Sequence, residues 1–192
     1  NAIDELKASE EKYRNLYHNS VISKHTTDFT TLKPVDVNEV AVKLFGYKSK
    51  EDFLQNFVPS KHAINVDDFK KNIATLKENG EILNLAQEMK RVDGTHFWAN
   101  IFSKLDSAKL FTQTIIIDIT EQINAINKAK ESEEKYKVLF ENSLVSMHTT
   151  DLNTFKAINA NDVAVALFGY KSKEDFIMNF TPSKHYAHEN DL

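Results

Sequence analysis

Ile3, Leu6, Tyr13 and Tyr17 recur at spacings of three and four along residues 2 to 18, with Glu10 interrupting the stripe, which predicts an amphipathic helix closed by Asn19-Ser20. Two short strand-like runs follow, Val21 to Thr27 and Thr31 to Val37, separated by turn residues around Asp28. Pro34 cannot donate to a ladder and so assigns the second run to a sheet edge. Asn38 is placed to cap a small helix carrying Val40, Val42, Leu44 and Phe45, ended by Gly46, and Ser49 to cap another holding Phe53 and Leu54. Pro59 and the polar residues after it predict a loop. Phe69, Ile73 and Leu76 then mark a helix over Val66 to Asn79, stopped at Gly80. Three strands complete the pattern: Glu81 to Arg91, Thr95 to Leu105 and Leu110 to Ile119. Asp93-Gly94 supplies a hairpin turn between the first two, and Ile115, Ile116 and Ile117 suit a central position for the last. The expected fold class is α+β, a five-stranded antiparallel sheet with short helices on one face, flanked by amphipathic linker helices.

Shifting the chain by 123 residues lays it onto itself: about 40 of the 69 overlapping positions are identical, including HTTD at 25 to 28 and 148 to 151 and LFGYKSKEDF at 44 to 53 and 167 to 176. Leu192 corresponds to Phe69, so the second copy is expected to be truncated before its last three strands. The expected organisation is a linker helix over 1–20, a complete domain over 21–120, a linker helix over 121–143 and the front half of a second domain over 144–192.

Composition narrows the function. Apolar residues make up 41% of the chain, enough for ordinary cores, and a net charge of -4 with mixed signs offers no basic stripe for nucleic acid. No cysteine is present, which removes disulfides, thiolate metal sites and cysteinyl photochemistry and fits a cytoplasmic location. No apolar run approaches the roughly 18 residues of a membrane span, so no membrane contact is expected of this fragment. The four glycines are scattered at helix ends and turns, and no paired-histidine metal motif occurs, so neither catalysis nor a metal site is expected.

Asn38 before the small helix, LFGY with KSKEDF after it, KRVDGTHFW from Lys90 to Trp98, and DIT from Asp118 to Thr120 together resemble a PAS domain with its C-terminal PAC portion. In the second copy Asn161, LFGY and KSKEDF match. The resemblance implies a sensory or dimerisation module of a signalling protein, foremost a sensor histidine kinase. A small ligand would lie between sheet and helices, and Asp118 and Thr120 would pass a signal to the following helix. The alternatives are a ligand-free dimerisation or spacer scaffold, or the sensor of a cyclic-dinucleotide enzyme. The implied ligand contacts are His25, Phe45, Phe57, His62, Trp98 and Asn100.

His25 shares a strand face with Ser23 and Thr27. Pointing inward, this face would make a polar pocket; pointing outward, a solvated surface, which is the expected orientation for a histidine flanked by hydroxyls. Trp98 invites flavin stacking but is expected in the core. Some members of the family hold haem through a histidine on the long helix; Val66 to Asn79 has none, and His62 is expected to brace a loop. No cofactor is expected, haem and flavin being the alternatives. Ile3, Leu6, Tyr13, Ile123 and Ile126 on the two linker helices suit a homodimer contact, with the output domain outside this chain.

Overall fold

The computed structural model describes residues 2–106, 110–182 and 185; within the first helix the side chains of residues 2, 10, 13, 14, 16 and 18 lie outside the description, Tyr13 among them. The chain divides into two compact units, Asn1–Asn124 and Ala125–Leu192.

In the first unit α1 (Ala2–His18) precedes β1 (Ser23–Asp28) and β2 (Pro34–Val37). Four helices follow, α2 (Glu39–Phe45), α3 (Lys50–Asn56), α4 (Pro59–His62) and α5 (Val66–Asn79), and then β3 (Glu81–Lys90), β4 (His96–Asp106) and β5 (Phe111–Asp118). All five strands form one antiparallel sheet in the order β2-β1-β5-β4-β3. β5 is therefore central, as its isoleucine run requires, and the proline-led β2 is an edge.

Local chemistry explains where the elements begin. Thr30 and Thr31 donate their backbone N–H groups to Asp28 Oδ1 and Leu32 adopts φ 56°, so the predicted Thr31 to Val37 strand starts only at Pro34. The predicted loop at Pro59 is instead one helical turn, because proline at the first helical position presets φ and gives up an N–H that has no intrahelical partner. Asn38 and Ser49 cap α2 and α3, accepting from Ala41 N and Asp52 N. Gly46 takes the left-handed conformation that ends α2 (φ 80°).

Strand alternation sorts the side chains into two faces. Inward from the sheet point Phe97, Ala99 and Ile101 of β4, Ile116 of β5 and Met89 of β3, which pack with Val37, Ala41, Val42, Phe45, Phe53 and Phe57. β3 carries a bulge between Ile82 and Leu85, with Asn84 at φ 58°. The extra residue switches parity, so that Ile82 above it and Leu85, Gln87 and Met89 below it reach the same side.

α6 (Thr120–Glu141) follows β5 directly. In the second unit β6 (His148–Thr150) pairs antiparallel with β7 (Ala157–Ala160), followed by α7 (Asp162–Leu167) and α8 (Lys173–Asn179). A small core of Ala157, Ala160, Ala164, Val165, Phe176 and Phe180 holds it together. Asn161 repeats the bonding of Asn38, accepting from Met147 N and Ala164 N and donating to Val145 O and Phe140 O. Of the residues expected at a helix contact, Ile3, Leu6 and Ile126 are exposed and Ile123 is half-buried. Among the described residues no helix is long and apolar enough to cross a membrane.

Candidate functional site

A cavity of about 110 Å³ lies between the inner face of the sheet and α5 in the first unit. Its walls are largely aliphatic and aromatic, but its floor carries a patch of polar side chains from three adjacent strands. His25 stands opposite Thr114, Thr114 opposite Ser103, and, one row along, Thr27 opposite Thr112. Ser103 Oγ and Thr114 Oγ1 bond each other at 3.0 Å, and Asn72 of α5 donates to Gln87 Oε1 of β3 at 2.7 Å. His25 Nδ1 and Thr112 Oγ1 are buried with no hydrogen-bond partner among the described residues. Unpartnered buried polar atoms are costly and rare, so their occurrence together at one cavity is a signature of a site.

Aromatic rings close the far side. His25 meets Phe57, Phe53 and Phe45 at ring-centroid distances of 5.2, 5.9 and 6.3 Å. His62 stacks on Phe57 at 5.0 Å from behind and meets Phe45 at 4.8 Å. Its ring is fully committed: Nδ1 donates to Lys90 O (2.8 Å), which fixes the tautomer and leaves Nε2 to accept from Tyr47 Oη at 2.9 Å. Burial pushes the His25 pKa down to about 4, assisted by repulsion from His62, and burial lowers that of His62 too. At neutral pH this site is uncharged.

The other end of β5 builds a second constellation. Asp118 Oδ1 accepts from Thr120 N (3.0 Å) and Thr120 Oγ1 (2.5 Å), and that hydroxyl accepts from Trp98 N at 2.9 Å. Arg91, just past β3, donates through Nη2 to Asp118 Oδ2 (2.8 Å) and through Nε to Leu44 O of α2 (2.9 Å), while its guanidinium lies over the Phe97 ring at 4.5 Å. One side chain thus joins α2, the β3-β4 hairpin and the end of β5, next to which α6 begins. A double-mutant cycle of Arg91→Met with Asp118→Asn, which keeps the acceptor for Thr120, is expected to give a coupling energy of ~1 kcal/mol in urea unfolding, at the upper end for partly exposed pairs. Strictly additive effects would show that the pair is incidental.

No family model matches the chain, and no curated protein sequence does. Solved structures do. A domain of a sensory box sensor histidine kinase/response regulator from Geobacter sulfurreducens has a TM-score of 0.50 at 19% identity, over 59% of this chain and 96% of that one. The PAS domain of a protein from Colwellia psychrerythraea gives 0.50 at 18% identity, over 58% and 97% of the two chains. An RNA-binding light-oxygen-voltage receptor gives 0.52 at 17%, over 65% and 37%. The five-stranded unit has the PAS fold.

Within this PAS unit the structure sorts the residues expected from sequence. His25 and Phe57 line the cavity, whereas Phe45 and His62 stand one ring behind it. The outward orientation expected for His25 is overturned: it is 5% exposed and faces the core, because β1 lies beside central β5 and its Ser23-His25-Thr27 face is the one covered by helices. Trp98, expected in the core, is half-buried on the opposite face, since Phe97 and Ala99 take the inward positions. Asn100 shares that outer face and bonds Asn84 Oδ1 at 2.8 Å, so neither lines the cavity. His62 sits in a helical turn rather than a loop. Sequence reasoning missed Thr112, Thr114 and Ser103, although hydroxyls alternating with Gln113 and Ile115 along β5 were a signal for Thr112 and Thr114. It also missed Arg91.

Proposed function

We propose that this PAS unit is a sensory module in which a small ligand, held over the polar floor of the cavity, biases the orientation of α6. The observation that carries this reading is that one strand serves both places: Thr112 and Thr114 of β5 form the floor, and Asp118, at its other end, bonds Thr120 at the first turn of α6. A ligand that moves β5 relative to β1 and β4 must therefore load the Asp118-Thr120-Trp98 bonds. Such a ligand shifts the module only in so far as it binds one arrangement better than the other. The parent protein is read as a sensor histidine kinase, with a cyclic-dinucleotide enzyme as the alternative output. Ile3, Leu6, Ile123 and Ile126 are assigned to helix contacts in a homodimer. The second unit, whose sequence repeats the front half of the first, is read as the N-terminal half of a second PAS domain.

A ligand-free spacer is the second reading, favoured by a cavity smaller than the 300 Å³ or so typical of drug-sized sites. Hydrogen exchange separates the two. Protein purified directly from cells and the same protein stripped by unfolding and refolding are expected to differ in exchange along β5 and residues 120–126, with native mass spectrometry showing the mass lost. Thr120→Val is expected to keep the mass difference while abolishing the change in the helix. Identical exchange in the two preparations supports the spacer.

A further inference from the structure

We infer that the cavity selects a small uncharged amphipathic molecule whose single hydroxyl or carboxamide group bridges His25 and Thr112; this rests on the sensory reading above. His25 pairs across the sheet with Thr114 and Thr112 with Thr27, so His25 and Thr112 are diagonal neighbours on one face, close enough for one polar group between them to reach both. His25 Nδ1 and Thr112 Oγ1 have no partner among the described residues, whereas the floor hydroxyls Ser103 and Thr114 bond each other and Asn72 donates to Gln87 Oε1. Recognition therefore falls first to these two atoms. A neutral imidazole offers one donor and one acceptor, and a threonine hydroxyl serves as either. A hydroxyl or primary amide, which donates and accepts at once, satisfies the two together.

Charge is excluded by the lining. Among the described residues that line the cavity none is Asp, Glu, Lys or Arg, so an ion entering it would be stripped of water with no opposite charge to meet. A carboxylate would have to bring a proton for His25, whose buried ring resists protonation above about pH 4. The rest of the molecule must be apolar, to pack against Phe69, Ile73 and Leu76 of α5 and Ile82, Leu85 and Ile101 of the sheet. Size is limited too: about 110 Å³ is a little less than a cavity that accommodates benzene, which points to roughly five or six non-hydrogen atoms.

The test uses the full 192-residue chain and four probes of one shape: n-butanol, butyramide, butyrate and butylammonium. Methyl resonances of the lining isoleucines, leucines and threonines are followed at pH 7.5. Butanol and butyramide are expected to bind with dissociation constants on the order of 1 mM or tighter, and the two ions at least about tenfold more weakly. Thr112→Val preserves shape and removes the hydroxyl, and is expected to weaken butanol about tenfold; Thr112→Ser restores it. Should the valine variant lose its native methyl spectrum, His25→Leu takes its place with the same expectation. The inference is overturned if butyrate binds as well as butyramide, if butanol affinity is unchanged in the hydroxyl-deleted variant, or if neither neutral probe shifts a cavity methyl, as when water alone occupies the two atoms. In any of those cases a persisting exchange difference in α6 between stripped and unstripped protein leaves the sensory reading standing and removes only the ligand class. Hydroxyl-dependent butanol binding with no response in α6 does the reverse.

Discussion

Asn38→Ala is expected to destabilise the PAS unit by ~4 kcal/mol, far more than the ~1 kcal/mol of an ordinary helix cap. Asn38 has no exposed surface and uses all of its amide. Oδ1 accepts from Ala41 N at the start of α2 and from Lys24 N of β1, each at 3.0 Å, while Nδ2 donates to Ile22 O at 2.8 Å and Tyr17 O at 3.3 Å. Truncation removes the side-chain partner of four backbone groups from three segments, in a place where water has little access, and each buried group left unsatisfied costs about 1–3 kcal/mol before relaxation. Trp98 is the only tryptophan in the chain and lies in this unit, so its fluorescence during urea unfolding reports the effect directly. Ser49→Ala provides the comparison, because Ser49 Oγ caps α3 through Asp52 N at 3.2 Å. If the two alanine variants lose equal stability, Asn38 is a cap and nothing more.

Acidification is expected to cost the unit roughly 3 kcal/mol through His25 alone, because its folded pKa of about 4 lies below the ordinary histidine value of 6.5. Between those two values the unfolded chain binds the proton and the folded one does not. The stabilisation is therefore complete above about pH 6.5, is lost progressively as pH falls, and has gone once the folded ring titrates near pH 4. His62, also lowered by burial, adds in the same direction. Asp28, Asp52 and Asp93, whose backbone hydrogen bonds hold their carboxylates below the usual range, add acid sensitivity of their own at still lower pH. Comparing the wild type with His25→Leu cancels them. Between pH 7.5 and 4.5 the wild type is expected to lose about 2–3 kcal/mol more than the variant in urea unfolding. Equal losses would place His25 in contact with solvent or a compensating charge.

Arg91 shows where one-dimensional reading stops. It lies in the hairpin motif from Lys90 to Trp98, yet its partners Leu44 and Asp118 are 47 and 27 residues away, and nothing in local periodicity brings them together. Thr112 and His25 meet in the same way, through pairing of β1 with β5 across the whole domain.

Interactions of short range were legible from the chain alone. The long helix over Val66–Asn79, the caps Asn38, Ser49 and Gly46, the edge position of Pro34 and the centrality of β5 follow from dihedral preferences, missing donors and apolar period, all properties of a few neighbouring residues. Tertiary structure alone decided which face of each strand turns inward. A period of two says that Ser23, His25 and Thr27 share a side, and that Phe97 and Trp98 do not, but the direction depends on which side the helices cover. The bulge at Asn84 then reverses that parity within β3, where the pattern of residue types alone does not show it. For that reason the fold could be read from the sequence, while the cavity floor, two orphaned polar atoms facing helix-covered space, belonged to the assembled sheet.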